Sequence, residues 1–95
     1  MPERLSADQI AEGMRAIPLW DVVDDRIVRQ FEFEDFVAAL GFIAQVGALA
    51  EKADHHPEIV NVYNRVKISL WTHTEDGITE LDLRLAEAIN ARRPT

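Results

Sequence analysis

The segment from Phe36 to Ala50 limits the folds of this chain more than any other. It reads FVAALGFIAQVGALA, and its one clearly polar side chain is Gln45. A surface helix needs one apolar stripe along its length. This segment has two stripes: Phe36, Leu40, Ile43 and Gly47 in one, and Phe42, Val46 and Leu49 in the other. The pattern predicts a central helix that is apolar on two sides.

The size of the chain decides what these two sides can contact. A domain of 95 residues buries only about two thirds of its surface. Because so little other structure is available, we expect one side of the helix to pack on a sheet and the other to meet another subunit. The composition has no long biased segment, so we expect one domain over residues 1–95 that associates with itself.

Helices and hairpins alternate along the rest of the chain. Ser6 and Gln9 predict a capping box at the start of a helix that Pro18 ends. β-branched and aromatic residues on both sides of Asp24-Asp25 predict a hairpin, and a second hairpin with a turn at Asn64-Arg65 follows the central helix. A last helix follows. This order predicts an α+β fold, a four-stranded antiparallel sheet with three helices packed on one face.

Alternation along the longer strands predicts which side of the sheet each residue faces. Ile27 and Phe31 should share the apolar side, which Arg29 interrupts. We take the last strand to run from Val66 to His73, which places His73 on the side opposite to Val66. The last helix carries three apolar anchors: Leu81, Leu85 and Ile89.

Charge and composition exclude several classes of function. A net charge of -7 argues against electrostatic binding to the phosphates of a nucleic acid, so we expect no direct nucleic-acid binding. The basic cluster from Ala91 to Arg93 is expected at a helix end instead. Without cysteine the chain suits a reducing compartment, and we expect a cytoplasmic protein. Its start lacks the pattern of an export signal, and no run reaches the roughly 20 apolar residues of a membrane span.

Three histidines fall within nineteen consecutive positions: His55, His56 and His73. Imidazole has an unperturbed pKa of about 6.5, so it both gives and takes protons near neutrality. Glu51 lies four residues before His55, and on a continuous helix it could orient that ring. Pro57 could bend the chain so that the two adjacent histidines face one cleft. The pattern favours proton transfer if the three rings converge.

Two other interpretations stay open at this point. Three histidines with Glu51 or Asp82 could hold zinc, but no recognised metal spacing is present and we expect no metal. The histidines could also be ordinary polar residues at a helix end and on a strand. Asp82 fits a capping pattern with Thr79, which makes helix closure its first role and a site role its second. Trp20, Trp71 and Tyr63 are more typical of packing than of ligand binding.

The spacing of seven residues resembles that of the pterin-4a-carbinolamine dehydratases. These residues are Glu51, His55, His56, Pro57, Tyr63, His73 and Asp82. The resemblance extends to Trp20, to FEF before the central helix, and to the stretches NVYNRVKISLWTH and GITELDLRLA. One position departs from the pattern, because Leu81 stands where mammalian members carry arginine.

The resemblance implies dehydration of 4a-hydroxytetrahydropterin to quinonoid dihydropterin, with no cofactor. This step recycles the pterin of aromatic amino-acid hydroxylases, so a hydroxylase pathway partner is implied as well. His55 and His73 would transfer protons and His56 would bind the substrate. Glu51 would orient the first histidine, Asp82 would support the site, and Trp20 would wall the pocket.

The family forms tetramers built as dimers of dimers, so the resemblance implies a homodimer or homotetramer. A mammalian member also serves as a dimerisation cofactor for a homeodomain transcription factor. The alternative function is therefore a non-catalytic oligomeric binding module that resembles a transcriptional coactivator.

Overall fold

Two hairpins join through their long strands to form the sheet. The computed structural model of the protein describes residues 2–92. The elements are α1 (Ala7–Met14), β1 (Asp21–Val23), β2 (Arg26–Glu32), α2 (Phe36–Ala53), β3 (Glu58–Val62), β4 (Arg65–Leu70) and α3 (Glu80–Arg92). All neighbouring strands are antiparallel, in the order β1-β2-β4-β3. The predicted α+β fold, with three helices on one face of a four-stranded sheet, is confirmed.

The turns of the two hairpins are both tight. Asp24 and Asp25 have φ angles of 48° and 61°, and two positive φ values are what a type I′ turn requires. In the second hairpin Val62 pairs with Arg65, so the turn is at residues 63–64 and the predicted position is wrong by one residue. Tyr63 sits in this turn with a φ of 51° and is 60% exposed. The expectation that it packs as a strand residue is therefore wrong.

The core lies between the sheet and the helices. Ile27 and Phe31 are fully buried on the helix side, as the alternation predicts. The guanidinium of Arg29 lies on this side too, 4.3 Å from the Phe31 ring centroid, and donates to the Asn90 side-chain oxygen at 2.7 Å. These contacts explain how the apolar side tolerates a charge.

The helix α1 starts as predicted and ends earlier. Ser6 and Gln9 form both bonds of the capping box. After Met14 the bonds tighten to i→i+3, as in the 3.1 Å bond from the Ile17 amide to the Met14 carbonyl. This tightening ends the helix before Pro18 is reached, and it turns the side chain of Ile17 into the core.

The long helix α2 has a covered side and an uncovered side within the described chain. It begins at an Asp35 cap, and its buried side chains are Ala39, Phe42, Val46 and Ala50. The other side exposes Phe36 by 46%, Val37 by 75% and Leu40 by 45%. By length and composition alone α2 could also cross a membrane, a test that core helices of soluble proteins pass as well.

The last helix, α3, starts after Thr79 and buries Leu85 and Ile89. Leu81 is only half-buried and lies outside the core, so its predicted role as an anchor is wrong. Arg92 occupies the last turn, where a cation complements the helix dipole. Arg93, the other charge of the predicted basic cluster, lies outside the described residues.

Candidate active site

The chain turns sharply where α2 ends. Asp54 adopts the left-handed conformation, with φ 50° and ψ 44°, and its amide bonds to the carbonyls of Ala50 and Glu51. The His55 amide also bonds to the Ala50 carbonyl, at 3.1 Å, which completes a Schellman-type cap. The bend is therefore made at Asp54 and not at Pro57, which is half-buried directly before β3. The predicted role of Pro57 as the cause of the bend is wrong.

His55 is buried against Asp82. Its Nε2 lies 2.5 Å from Oδ1 of the carboxylate, and the two residues are 8% and 0% exposed. An ionised carboxylate can only accept hydrogen bonds, so Nε2 carries the proton of this bond. In the neutral ring, Nδ1 is then left as an acceptor.

The second oxygen of Asp82 is held by the start of α3. Oδ2 accepts from the Thr79 amide and from the Thr72 hydroxyl, both at 2.9 Å. Because Thr72 donates its proton there, the 2.6 Å bond between the two threonine hydroxyls has Thr79 as the donor. The Leu81 amide in turn donates to the Thr79 hydroxyl at 3.3 Å. The predicted helix-closing role of Asp82 is confirmed, and the same group fixes His55.

Thr72 is a site residue that sequence reasoning missed. It lies ten residues before Asp82, beyond the reach of any capping pattern, and comes close because it pairs with Gly77 across a tight turn. Among residues 2–92, no buried side-chain nitrogen or oxygen lacks a hydrogen-bond partner. The buried carboxylate is therefore fully compensated.

His56 has a different carboxylate partner from His55. Its Nε2 lies 2.5 Å from Oε1 of Glu51, and both side chains are more than half exposed. The prediction that Glu51 orients the first histidine is wrong, because the turn at Asp54 carries His55 away from the helix face of Glu51. The same turn brings the second histidine to it.

His73 does not lie on a strand. β4 ends at Leu70, and His73 begins a short 3₁₀ turn that extends to Glu75. Its imidazole stacks on the indole of Trp71, with ring centroids 4.6 Å apart and planes 16° apart. The strand ends early because Thr72 bonds back to Gly77 through both backbone groups, which closes a turn.

The three histidines line a single open pocket of about 390 Å³. Its lining residues are Pro2, Asp54, His55, His56, Thr72, His73, Thr74 and Leu81. A second pocket, of about 440 Å³, lies between α2 and α3 and shares the residues His55 and Leu81. The second pocket contains neither His56 nor His73, so the first is the candidate active site.

A family model described as pterin 4 alpha carbinolamine dehydratase matches residues 3–92 of the chain. The chain belongs to this family. Proteins of Brucella ovis and Brucella canis named "Putative pterin-4-alpha-carbinolamine dehydratase" are each 50% identical to it over 90 residues, which is 93% of both chains.

Two solved structures are similar to this pterin dehydratase family member. A Brucella melitensis protein described as a transcriptional coactivator/pterin dehydratase has a TM-score of 0.90 at 48% identity, covering 94% of this chain and 97% of its own. A pterin dehydratase-like protein described as a RuBisCO assembly factor has a TM-score of 0.63 at 22% identity, covering 76% and 83%. The second likeness shows a shared fold alone.

Trp20 does not line the histidine pocket of this pterin dehydratase family member. Its indole is 3% exposed, donates to the Asn90 side-chain oxygen at 2.8 Å and meets Phe31 edge to face. The predicted pocket wall is therefore a core residue in this chain. Leu81 instead lines both pockets, so the position where mammalian relatives carry arginine is apolar here.

The pocket residues can be considered as ligands for a metal as well. Within residues 2–92, no group of three or more His, Cys, Asp or Glu is placed to hold an ion. His55 and His56 are each bonded to a separate carboxylate. The pocket therefore offers three imidazole groups, a type of side chain that can bind a ligand and transfer protons.

Proposed function

We propose that this protein dehydrates 4a-hydroxytetrahydropterin to quinonoid dihydropterin, and so recycles a pterin cofactor. The observation that carries the proposal is the convergence of His55, His56 and His73 on one pocket, with His55 fixed by a buried carboxylate. Membership of the pterin dehydratase family supports the reaction class.

The reaction needs two proton transfers and no change of oxidation state. A base removes the proton from N5 while an acid protonates the 4a hydroxyl, the bond from C4a to oxygen breaks, and the C4a to N5 double bond forms. Water leaves. Side chains that titrate near neutrality suit both transfers, and each transfer contributes on the order of 10²- to 10⁴-fold to the rate.

The different settings of the histidines suggest their roles. In His55 the bond to Asp82 takes up the Nε2 proton, so Nδ1 is the acceptor and we assign this ring as the base. His73 lines the same pocket and is assigned as the acid. His56 is bonded to the exposed Glu51 and binds the substrate. Asp82 does not line the pocket and supports the site through its hydrogen bond to His55.

The proposal is tested with synthetic 4a-hydroxytetrahydropterin and purified protein. We expect the wild type to accelerate dehydration above the buffer rate, and His55→Ala and His73→Ala to lose most of that acceleration at saturating substrate. His56→Ala should mainly raise KM. Arg15→Ala, an exposed change after α1, is the control and should match the wild type. A wild-type rate equal to that of buffer would refute the enzymatic function.

We also propose that the protein self-associates in the cytoplasm through the exposed side of α2. Three large apolar side chains there are between 45% and 75% exposed: Phe36, Val37 and Leu40. An apolar patch on one helix face is typical of a protein contact.

The same patch is the observation that favours the second candidate function, an oligomeric binding module similar to a transcriptional coactivator. The similar Brucella melitensis structure carries both descriptions. A binding module needs this surface and not the histidines. The dehydration assay separates the two functions, because only the enzyme would be sensitive to His55→Ala and His73→Ala.

A further inference from the structure

The three histidines of the pocket are held in different ways. His55 is bonded to Asp82 and His56 to Glu51, each through Nε2 at 2.5 Å. The imidazole of His73 makes no hydrogen bond to any residue in the range 2–92, and it is exposed. Its imidazole stacks on the indole of Trp71, with ring centroids 4.6 Å apart. His73 is therefore held by aromatic stacking, whereas His55 and His56 are each held by a carboxylate.

The indole is itself fixed from two directions. Trp71 directly follows β4, whose last residue, Leu70, is fully buried and pairs with Ile27. The guanidinium carbon of Arg26, the first residue of β2, lies 3.9 Å from the centroid of the Trp71 ring. A cation over an indole face is attracted by the ring quadrupole. The half-buried indole of Trp71 is therefore held in place by residues of two neighbouring strands, β2 and β4.

We propose that Trp71 is a positioning residue that orients the His73 imidazole for proton transfer. A free exposed imidazole rotates about two side-chain bonds. Parallel contact with the indole restricts this rotation without using either ring nitrogen, so both nitrogens stay available for the substrate. A carboxylate partner would occupy one of them. The catalytic part of the proposal rests on the proposed function, and the restriction of the ring does not.

Removal of the Trp71 indole is expected to leave the His73 imidazole without a fixed orientation. A proton donor that samples many directions spends less time within hydrogen-bond reach of the leaving hydroxyl. Small misplacements of a reacting group cost up to about 100-fold in rate. We expect Trp71→Leu, which fills space without an aromatic face, to lower kcat about 10- to 100-fold with little change in KM. Trp71→Phe restores a face and should stay within about threefold of the wild type.

Nuclear magnetic resonance tests the orientation directly and needs no activity. Ring current from a stacked indole shifts the ring proton signals of His73 upfield of those of the exposed His56. Trp71→Leu should abolish this shift and Trp71→Phe should keep part of it. Circular dichroism of each variant shows whether the fold is retained.

The outcomes separate this proposal from the proposed function. A wild-type His73 without an upfield shift overturns the stacking, whatever the activity and even if Trp71→Leu does not fold. A Trp71→Leu variant that loses the shift and keeps the wild-type kcat overturns the positioning role. If the wild type shows the shift but no dehydration, the proposed function fails and the catalytic role of Trp71 fails with it, while the ring restriction stands.

Discussion

Asp82 and His55 are 27 residues apart in the sequence and share a hydrogen bond of 2.5 Å inside the protein. The other oxygen of the same carboxylate accepts the Thr79 amide and so closes the first turn of α3. One side chain therefore has two tasks, and a substitution can separate them.

Asp82→Asn should reduce activity far more than stability. The amide oxygen must face the Thr79 N–H, because that backbone group can only donate. The amide NH₂ then faces His55 and makes Nε2 an acceptor, which moves the ring proton to Nδ1 and removes the proposed base. We expect kcat to fall about 100-fold or more, while the free energy of unfolding falls by about 1 to 2 kcal/mol.

Urea unfolding and the dehydration assay measure these two effects on the same samples. Asp82→Ala is the companion variant, since it loses both tasks and should be less stable than Asp82→Asn. An Asp82→Asn protein with wild-type kcat would contradict the assigned protonation of His55.

The left-handed residue at the end of α2 predicts effects of different size for two small substitutions. Asp54→Ala should lower the free energy of unfolding by about 1 kcal/mol, because alanine is strained at a φ of 50°. Asp54→Gly should cost less than Asp54→Ala, because glycine adopts positive φ without steric penalty. Thermal or urea unfolding compares the pair, and an alanine variant at least as stable as the glycine variant would refute this reading of the cap.

The exposed pair of Glu51 and His56 should matter little for stability. Exposed ion pairs contribute about 0 to 1 kcal/mol. Glu51→Gln should therefore change the free energy of unfolding by less than about 1 kcal/mol, and its main effect should be on KM through His56. Urea unfolding at low and high salt checks the first part. A larger loss would show that the pair is structural.

The uncovered side of α2 predicts an assembly that a single charge disrupts. Leu40→Asp places a carboxylate in the centre of the exposed patch, and we expect it to reduce the mass from a multiple of the chain to that of one chain. Light scattering at micromolar concentration measures this. Ala11→Asp, a change on an exposed position of α1, is the control and should leave the mass unaltered. A wild type with the mass of one chain would contradict the proposed contact.

The sequence predicts the elements of this fold well because their signals are local. The capping box of Ser6, the alternation around Phe31 and the pattern of Thr79 with Asp82 each involve residues a few positions apart, and all three are present as predicted. The two apolar sides of α2 follow in the same way from helical spacing.

The errors occur where backbone conformation overrides the pattern. Alternation continues through Trp71 and Thr72, so the pattern extends β4 to His73, yet Thr72 turns back to Gly77. The pattern around Asp54 does not show that this residue adopts the left-handed conformation. The turn that results pairs Glu51 with His56, where the sequence predicted His55. Thr72 could not be assigned, because its contact with Asp82 depends on that fold.

The bond from the Thr79 amide to Asp82 allows the position of the Asp82 carboxylate to be followed by hydrogen exchange of a backbone amide. That amide hydrogen can exchange with solvent deuterium only when Oδ2 of Asp82 releases it, and Oδ1 of the same carboxylate holds His55. The exchange rate of this one amide thus reports how often the carboxylate that holds His55 leaves its position, with no substrate present.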